Sequence, residues 1–156
     1  MREFQKQKVK YVIVGGLAMN LLGTYRSTTD LDILIEMSDA NLAKVVKILK
    51  AKGYVVKQPV DPMGIAQKSI REDWIKNKNM RAFNFYKDQE MKEVDLIIES
   101  PVSYQEAQAD SIKIKVEDMK LPVISVNHLI KMKKVSGRPI DQWDIDALKK
   151  LRKLRA

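Results

Sequence analysis

Three aspartates and a pair of glycines carry the chemistry this chain of 156 residues could perform. Asp30 and Asp32 stand two apart in the run Thr28-Thr29-Asp30-Leu31-Asp32-Ile33-Leu34-Ile35-Glu36. The part from Leu31 to Ile35 reads as a strand, because β-branched and large apolar residues dominate it. Side chains alternate across a strand. Leu31, Ile33 and Ile35 therefore face a core, while Asp30, Asp32 and Glu36 face the other way with Leu34 among them. Two carboxylates on one side of a strand repel each other, an arrangement that makes sense with a cation between them. Carboxylate oxygens suit a hard ion such as Mg²⁺. Asp95 lies in a second strand-like run built the same way, with Val94, Leu96 and Ile98 on one side and Glu93, Asp95, Ile97 and Glu99 on the other.

Gly15 and Gly16 follow the apolar strand Tyr11-Val12-Ile13-Val14 and precede a short apolar helix that runs to Gly23. A helix N-terminus offers unpaired N–H groups and a partial positive charge. Glycines there let the backbone approach a phosphate closely. A phosphate cradle beside a paired-carboxylate strand is the arrangement that metal-assisted phosphoryl transfer needs.

The elements that must position these groups follow from periodicity. Ser38-Asp39 opens a helix with Leu42, Val45, Val46 and Leu49 at helical spacing, and Gly53 ends it. Tyr54-Val55-Val56 reads as a short strand. Residues 64–78 give a weak helical pattern studded with Lys and Arg, either a basic flap beside the site or a peripheral helix with a solvated face. Strands over 81–86 and 93–98 flank a polar turn, and 111–116 with 121–124 form a further hairpin. Ser125 caps a helix whose Val126, Leu129, Ile130 and Lys133 share one stripe. A lysine at that place either snorkels outward or meets an anion. After Ser136-Gly137, Arg138-Pro139 opens a last helix with Ile140, Ala147, Leu148, Leu151 and Leu154 as its expected buried stripe. Asp141, Asp144 and Asp146 sit in its first turns, where the helix dipole favours acids.

The string Gly15-Gly16-Leu17-Ala18, then Gly23-x-x-Arg26-x-Thr28-x-Asp30-x-Asp32, resembles the nucleotidyltransferase superfamily, whose best-known member is DNA polymerase beta. It is most similar to the small bacterial branch akin to AbiEii-type nucleotidyltransferases. The stretch Leu129-Ile130-x-Met132-Lys133-x-x-x-Gly137-Arg138-x-x-Asp141-x-x-Asp144 resembles that branch's C-terminal signature. The resemblance covers roughly residues 11–56 and 93–150. It implies that Asp30, Asp32 and Asp95 hold two Mg²⁺ ions and that Gly15 and Gly16 cradle the β- and γ-phosphates of an NTP. Lys133 and Arg26 would neutralise the pyrophosphate. It also implies that Arg138 and the later aspartates tie the last two helices together. One departure is Leu17, where many members carry a phosphate-binding Ser or Thr.

Composition narrows the classes. The length fits one domain, spanning residues 1–156. No cysteine is present, which excludes a disulfide framework and a catalytic thiol, and the single histidine excludes a multi-histidine zinc site. No apolar run approaches a membrane span and the first residues lack a signal-peptide pattern, so the expected compartment is the cytoplasm. The net charge of +9 favours anionic partners, from triphosphates to RNA.

These readings predict an α/β (α+β) fold of the nucleotidyltransferase type, a mixed β-sheet of about five strands with helices packed on one face. They predict Mg²⁺-dependent transfer of a nucleotidyl group from an NTP to an acceptor hydroxyl. The basic residues Lys149, Lys150, Arg152 and Lys153, with residues 59–80, point to an RNA acceptor such as a tRNA 3′ end, or else to a protein hydroxyl. The alternatives are a non-catalytic RNA- or partner-binding module and a toxin–antitoxin component keeping the same fold.

Overall fold

The computed structural model describes all 156 residues. Its helices are α1 (Arg2–Lys6), α2 (Gly15–Leu22), α3 (Asp39–Ala51), α4 (Lys68–Lys78), α5 (Tyr104–Ala109), α6 (Val126–Ser136) and α7 (Pro139–Arg155). Its strands are β1 (Tyr11–Val14), β2 (Leu31–Ile35), β3 (Val55–Val56), β4 (Ala82–Lys87), β5 (Lys92–Ile97), β6 (Ile112–Val116) and β7 (Met119–Val123). All seven strands join one sheet in the order β3-β4-β5-β2-β1-β7-β6. The expected count of about five strands is thus too low. The β6–β7 hairpin extends the sheet instead of standing apart, because β7 pairs parallel with β1, and β3 adds to the other edge through β4.

The register places the chemistry. β1 and β2 are antiparallel with Val14 opposite Asp32, β2 and β5 are parallel with Asp32 beside Asp95, and β4 and β5 are antiparallel with Asn84 opposite Asp95. Val14, Asp32, Asp95 and Asn84 therefore form one row across one face. On the other face Ile13, Ile33, Leu96 and Phe83 are fully buried in the apolar core. The expectation of cover on one face alone does not hold. Val12 and Leu34 share the acidic face and are buried too, with α5 against β1.

Local signals explain most elements. Ser38 Oγ accepts the backbone N–H of Asn41 at 3.2 Å and starts α3. α5 starts from a capping box in which Ser103 and Glu106 bond each other's backbone. The 64–78 region is not a flap beside the site. Pro62–Ala66 makes a 3-10 turn, and Trp74 of α4 stacks on Phe83 at 5.4 Å, on the face opposite the acids. Buried Arg71 fastens α4 by donating to the Ile65 and Met37 carbonyls and to Asp39.

The buried face of α7 also differs from expectation. Ile140 and Leu154 are exposed, and the buried residues are Asp141, Asp144, Ile145 and Leu148. Two carboxylates enter the interior because Lys133 and two arginines meet them there.

Candidate active site

A cavity of about 660 Å³ opens over the acidic row. Val14, Gly15, Asp32, Ala82, Asp95 and Ile97 line it from the sheet side, and Leu129, Met132, Lys133, Ser136 and Arg138 from α6 and the turn after it. Arg81, Glu99, Ser100 and Pro101 form one end.

Asp32 and Gly15 meet because β1 turns directly into α2. Gly15 has a left-handed φ of +67°, and a β-carbon there would stand 1.9 Å from Asp32 Oδ2. The carboxylate occupies the space a side chain would take. No side chain caps the start of α2 and its first turn holds no acid, so its early N–H groups remain for an anion. Gly16 faces elsewhere: a β-carbon there would meet Thr28 at 3.0 Å.

Burial pushes the Asp32 carboxyl up to about 6, with the negative charges of Asp95 and Asp30 adding to the shift and the positive charges of Arg138 and Lys133 opposing it. Asp95 is raised in the same sense, first by burial and further by Glu93 and Asp30, against a hydrogen bond from Asn84. Two acids that resist ionisation side by side attract a cation.

Asp30 is not on the cavity wall. Its N–H donates to Thr28 Oγ1 at 3.4 Å and its Oδ1 accepts from Thr29 at 3.2 Å. No group of three or more His, Asp or Glu side chains is gathered closely enough to hold a metal ion. The donor set nevertheless suits Mg²⁺. That ion characteristically takes one or two carboxylates, fills its remaining positions with water and substrate phosphate, and does not need an all-protein cage.

Lys133 lines the cavity, but its ammonium is buried between two carboxylates, donating to Asp144 Oδ2 at 2.6 Å and Asp141 Oδ1 at 3.4 Å. Arg26 stands off the cavity wall, with Nε 3.4 Å from Asp144 Oδ1. Arg138 grips Asp141 through Nε and Nη2 at 3.0 and 3.1 Å. Burial alone would raise Asp141, but hydrogen bonds from Arg138 and Ser136 outweigh it and hold that carboxyl well below the usual range. The Arg138 side chain itself is 65% exposed. The structure thus brings Gly15, Asp32, Asp95 and Lys133 to one cavity and leaves Gly16, Arg26 and Asp30 at its margins.

Two residues at the site escaped sequence reasoning. Asn84 donates to Asp95 at 2.7 Å; the signal was a lone polar residue between Phe83 and Phe85. Arg138 was expected only to tie helices together, yet it reaches the cavity beside Asp32.

Residues 1–149 match the family described as aminoglycoside-2''-adenylyltransferase. No curated protein matches the chain in sequence. Among solved structures, lincosamide antibiotic adenylyltransferase LnuA with lincomycin bound is similar at a TM-score of 0.61 and 19% identity, over 95% of this chain and 90% of that one. The solution structure of the antibiotic-resistance factor ANT(2'')-Ia gives 0.59 and 14%, over 99% and 80%. ANT(2'')-Ia in complex with adenylyl-2''-tobramycin gives 0.58 and 14%, over 99% and 84%. At such identities these neighbours establish the fold. The matched family and these neighbours belong to the polymerase-beta-like nucleotidyltransferase superfamily, while the AbiEii-type branch is not the one the family match names.

Proposed function

Because the chain belongs to the aminoglycoside-2''-adenylyltransferase family and is therefore a nucleotidyltransferase, we propose that it moves an adenylyl group from ATP to a hydroxyl of a small molecule, with Mg²⁺ held at Asp32 and Asp95. The observation that supports this best is the acidic pair, in register on β2 and β5, facing the uncapped start of α2 across one cavity. Asp30, off the cavity wall, is the further acid that the superfamily resemblance assigns to a second ion.

The chain's own groups have distinct tasks. Gly15 and Gly16 offer backbone N–H groups to the β- and γ-phosphates. Arg138, the most exposed cation of the cluster around Asp141 and Asp144, reaches toward the phosphates, and Lys133 and Arg26 add positive field behind it. Bound Mg²⁺ would supply Lewis-acid charge to the phosphate oxygens. The acceptor oxygen attacks the α-phosphorus, its proton passes to Asp95, and the bond to the bridging oxygen breaks so that pyrophosphate leaves with the electron pair. A cytoplasmic setting, where ATP and Mg²⁺ are plentiful, fits this reading. No helix is long and apolar enough to cross a membrane.

The acceptor end of the cavity supports a small molecule of low charge. The whole cavity, at about 660 Å³, is in the range of small-molecule sites. Its one acid outside the metal pair, Glu99, already lies 3.7 Å from Arg81, and the chain's charge of +9 repels polycations. The RNA expectation rests on residues 59–80 and on the last helix, where Arg152 donates to Asn127 and Arg155 to the Leu22 carbonyl, leaving the lysines. A non-catalytic role would leave the Asp32–Asp95 pair without a use, whereas a toxin–antitoxin enzyme would use the same pair on a tRNA or a protein acceptor.

The test is label transfer from [α-³²P]ATP in Mg²⁺, with and without EDTA, to lincomycin, tobramycin and total tRNA in parallel. EDTA-sensitive labelling of lincomycin above tobramycin is expected. Labelling of tRNA alone, or of nothing, would overturn this reading.

A further inference from the structure

Asn84 is fixed from both sides. Gln58 Nε2 donates to Asn84 Oδ1 at 2.7 Å, and Asn84 Nδ2 donates to Asp95 Oδ1 at 2.7 Å. Gln58 is itself oriented, since its Oε1 accepts the backbone N–H of Asn84 at 3.3 Å. The segment is anchored once more where the Lys57 N–H donates to the Asn84 carbonyl at 3.0 Å. An amide oxygen that accepts must turn its NH₂ the other way, so this chain of bonds dictates that Asn84 presents a donor to Asp95.

The arrangement exceeds what strand pairing requires. β3 already joins β4 through Val55 with Tyr86 and Val56 with Phe85. Gln58 lies beyond the end of β3, and its bonds lead inward to the acidic row. With Oδ1 held by Asn84, the other oxygen of Asp95 is left for the cavity.

We infer that Asn84, braced by Gln58, is a positioning residue for adenylyl transfer: it holds one oxygen of Asp95 and aims the other at the acceptor hydroxyl and the metal. This rests on the reading of the cavity as an adenylyl-transfer centre. Partners behind a ligating carboxylate characteristically matter by 10- to 100-fold in affinity or rate, and a misaimed base loses rate without losing nucleotide binding. Gln58 makes no contact with the cavity, so its effect must travel through Asn84.

The test compares wild type, Asn84→Ala and Gln58→Ala in three measurements: steady-state transfer, Mn²⁺ affinity from the electron paramagnetic resonance signal of the free ion, and Tm. In Asn84→Ala, kcat is expected to fall about 10- to 100-fold with KM for ATP within about twofold, and Mn²⁺ binding to weaken about tenfold. Gln58→Ala should move the same quantities in the same direction by less. Asn84→Ala with wild-type kcat and Mn²⁺ affinity overturns the inference. So does a loss in which kcat, ATP binding and Tm fall together, since that marks a scaffold residue. If the wild type transfers nothing, the adenylyl-transfer reading fails. The Mn²⁺ affinities of the three proteins then still decide whether Asn84 positions Asp95.

Discussion

The carboxylate of Asp32 lies where a β-carbon on Gly15 would have to be, 1.9 Å from Oδ2. The first residue of α2 and the central acid of β2 are therefore one mechanical unit. Gly15→Ala must hold its left-handed φ at a cost of roughly 1–2 kcal/mol and push Asp32 out of the row. Loss of transfer with a lower denaturation midpoint is expected. Gly16→Ala, whose new carbon would meet only Thr28 at 3.0 Å, should cost less in both measurements.

Asp32 also makes stability depend on pH. Its carboxyl is raised from 3.8 to about 6, so between those values the folded state binds more protons than the unfolded one. Stability is then full below the unfolded value and is lost as pH rises through about 6, by an amount on the order of 3 kcal/mol. In metal-free buffer Asp32→Asn should flatten the fall in Tm between pH 4 and 7, and it should abolish transfer. An unchanged pH profile would contradict the account of Asp32.

Lys133 is expected to matter first for folding. Lys133→Ala leaves Asp141 and Asp144 buried with one cation fewer, and breaking a buried pair from one side costs about 3 kcal/mol or more. ATP binding should weaken as the positive field behind Arg138 falls, while Mg²⁺ binding at Asp32 and Asp95 persists. Lys131→Ala, exposed on the same helix, should change neither. Equal urea midpoints for the two variants would return Lys133 to the surface.

The lysines of the last helix separate the acceptor readings. Lys149, Lys150 and Lys153 are exposed and line no part of the cavity. Changing all three to Gln should leave kcat/KM for a small acceptor within about twofold. A collapse of activity, together with a steep salt dependence of tRNA binding in the wild type, would favour RNA.

Alternation and glycine placement made the centre of the fold legible. Every segment that reads as a strand is one, and Asp32, Asp95 and Gly15 are where their patterns put them. Other features depended on partners distant in sequence. Apolar periodicity favoured Ile140 and Leu154 as the buried face of α7, because it cannot count Lys133 as the partner that draws Asp141 and Asp144 inside. α5 was overlooked although Ser103-x-x-Glu106 is a capping-box signature. Asn84 stood out only as a polar residue between two phenylalanines, and its bracing by Gln58, 26 positions away, was not legible.

The parallel pairing of β2 with β5 has a kinetic side. Between these neighbours the chain makes α3, β3, a 3-10 turn, α4 and β4, and a parallel pair can close only through such a crossover. Asp32 and Asp95 thus come together only when this long loop has paid its closure entropy, the step that slows folding in high-contact-order topologies. A nascent or partly refolded chain has the glycine turn and the first acid, both local, well before it has a reaction centre. The acidic pair cannot assemble until most of the sheet exists.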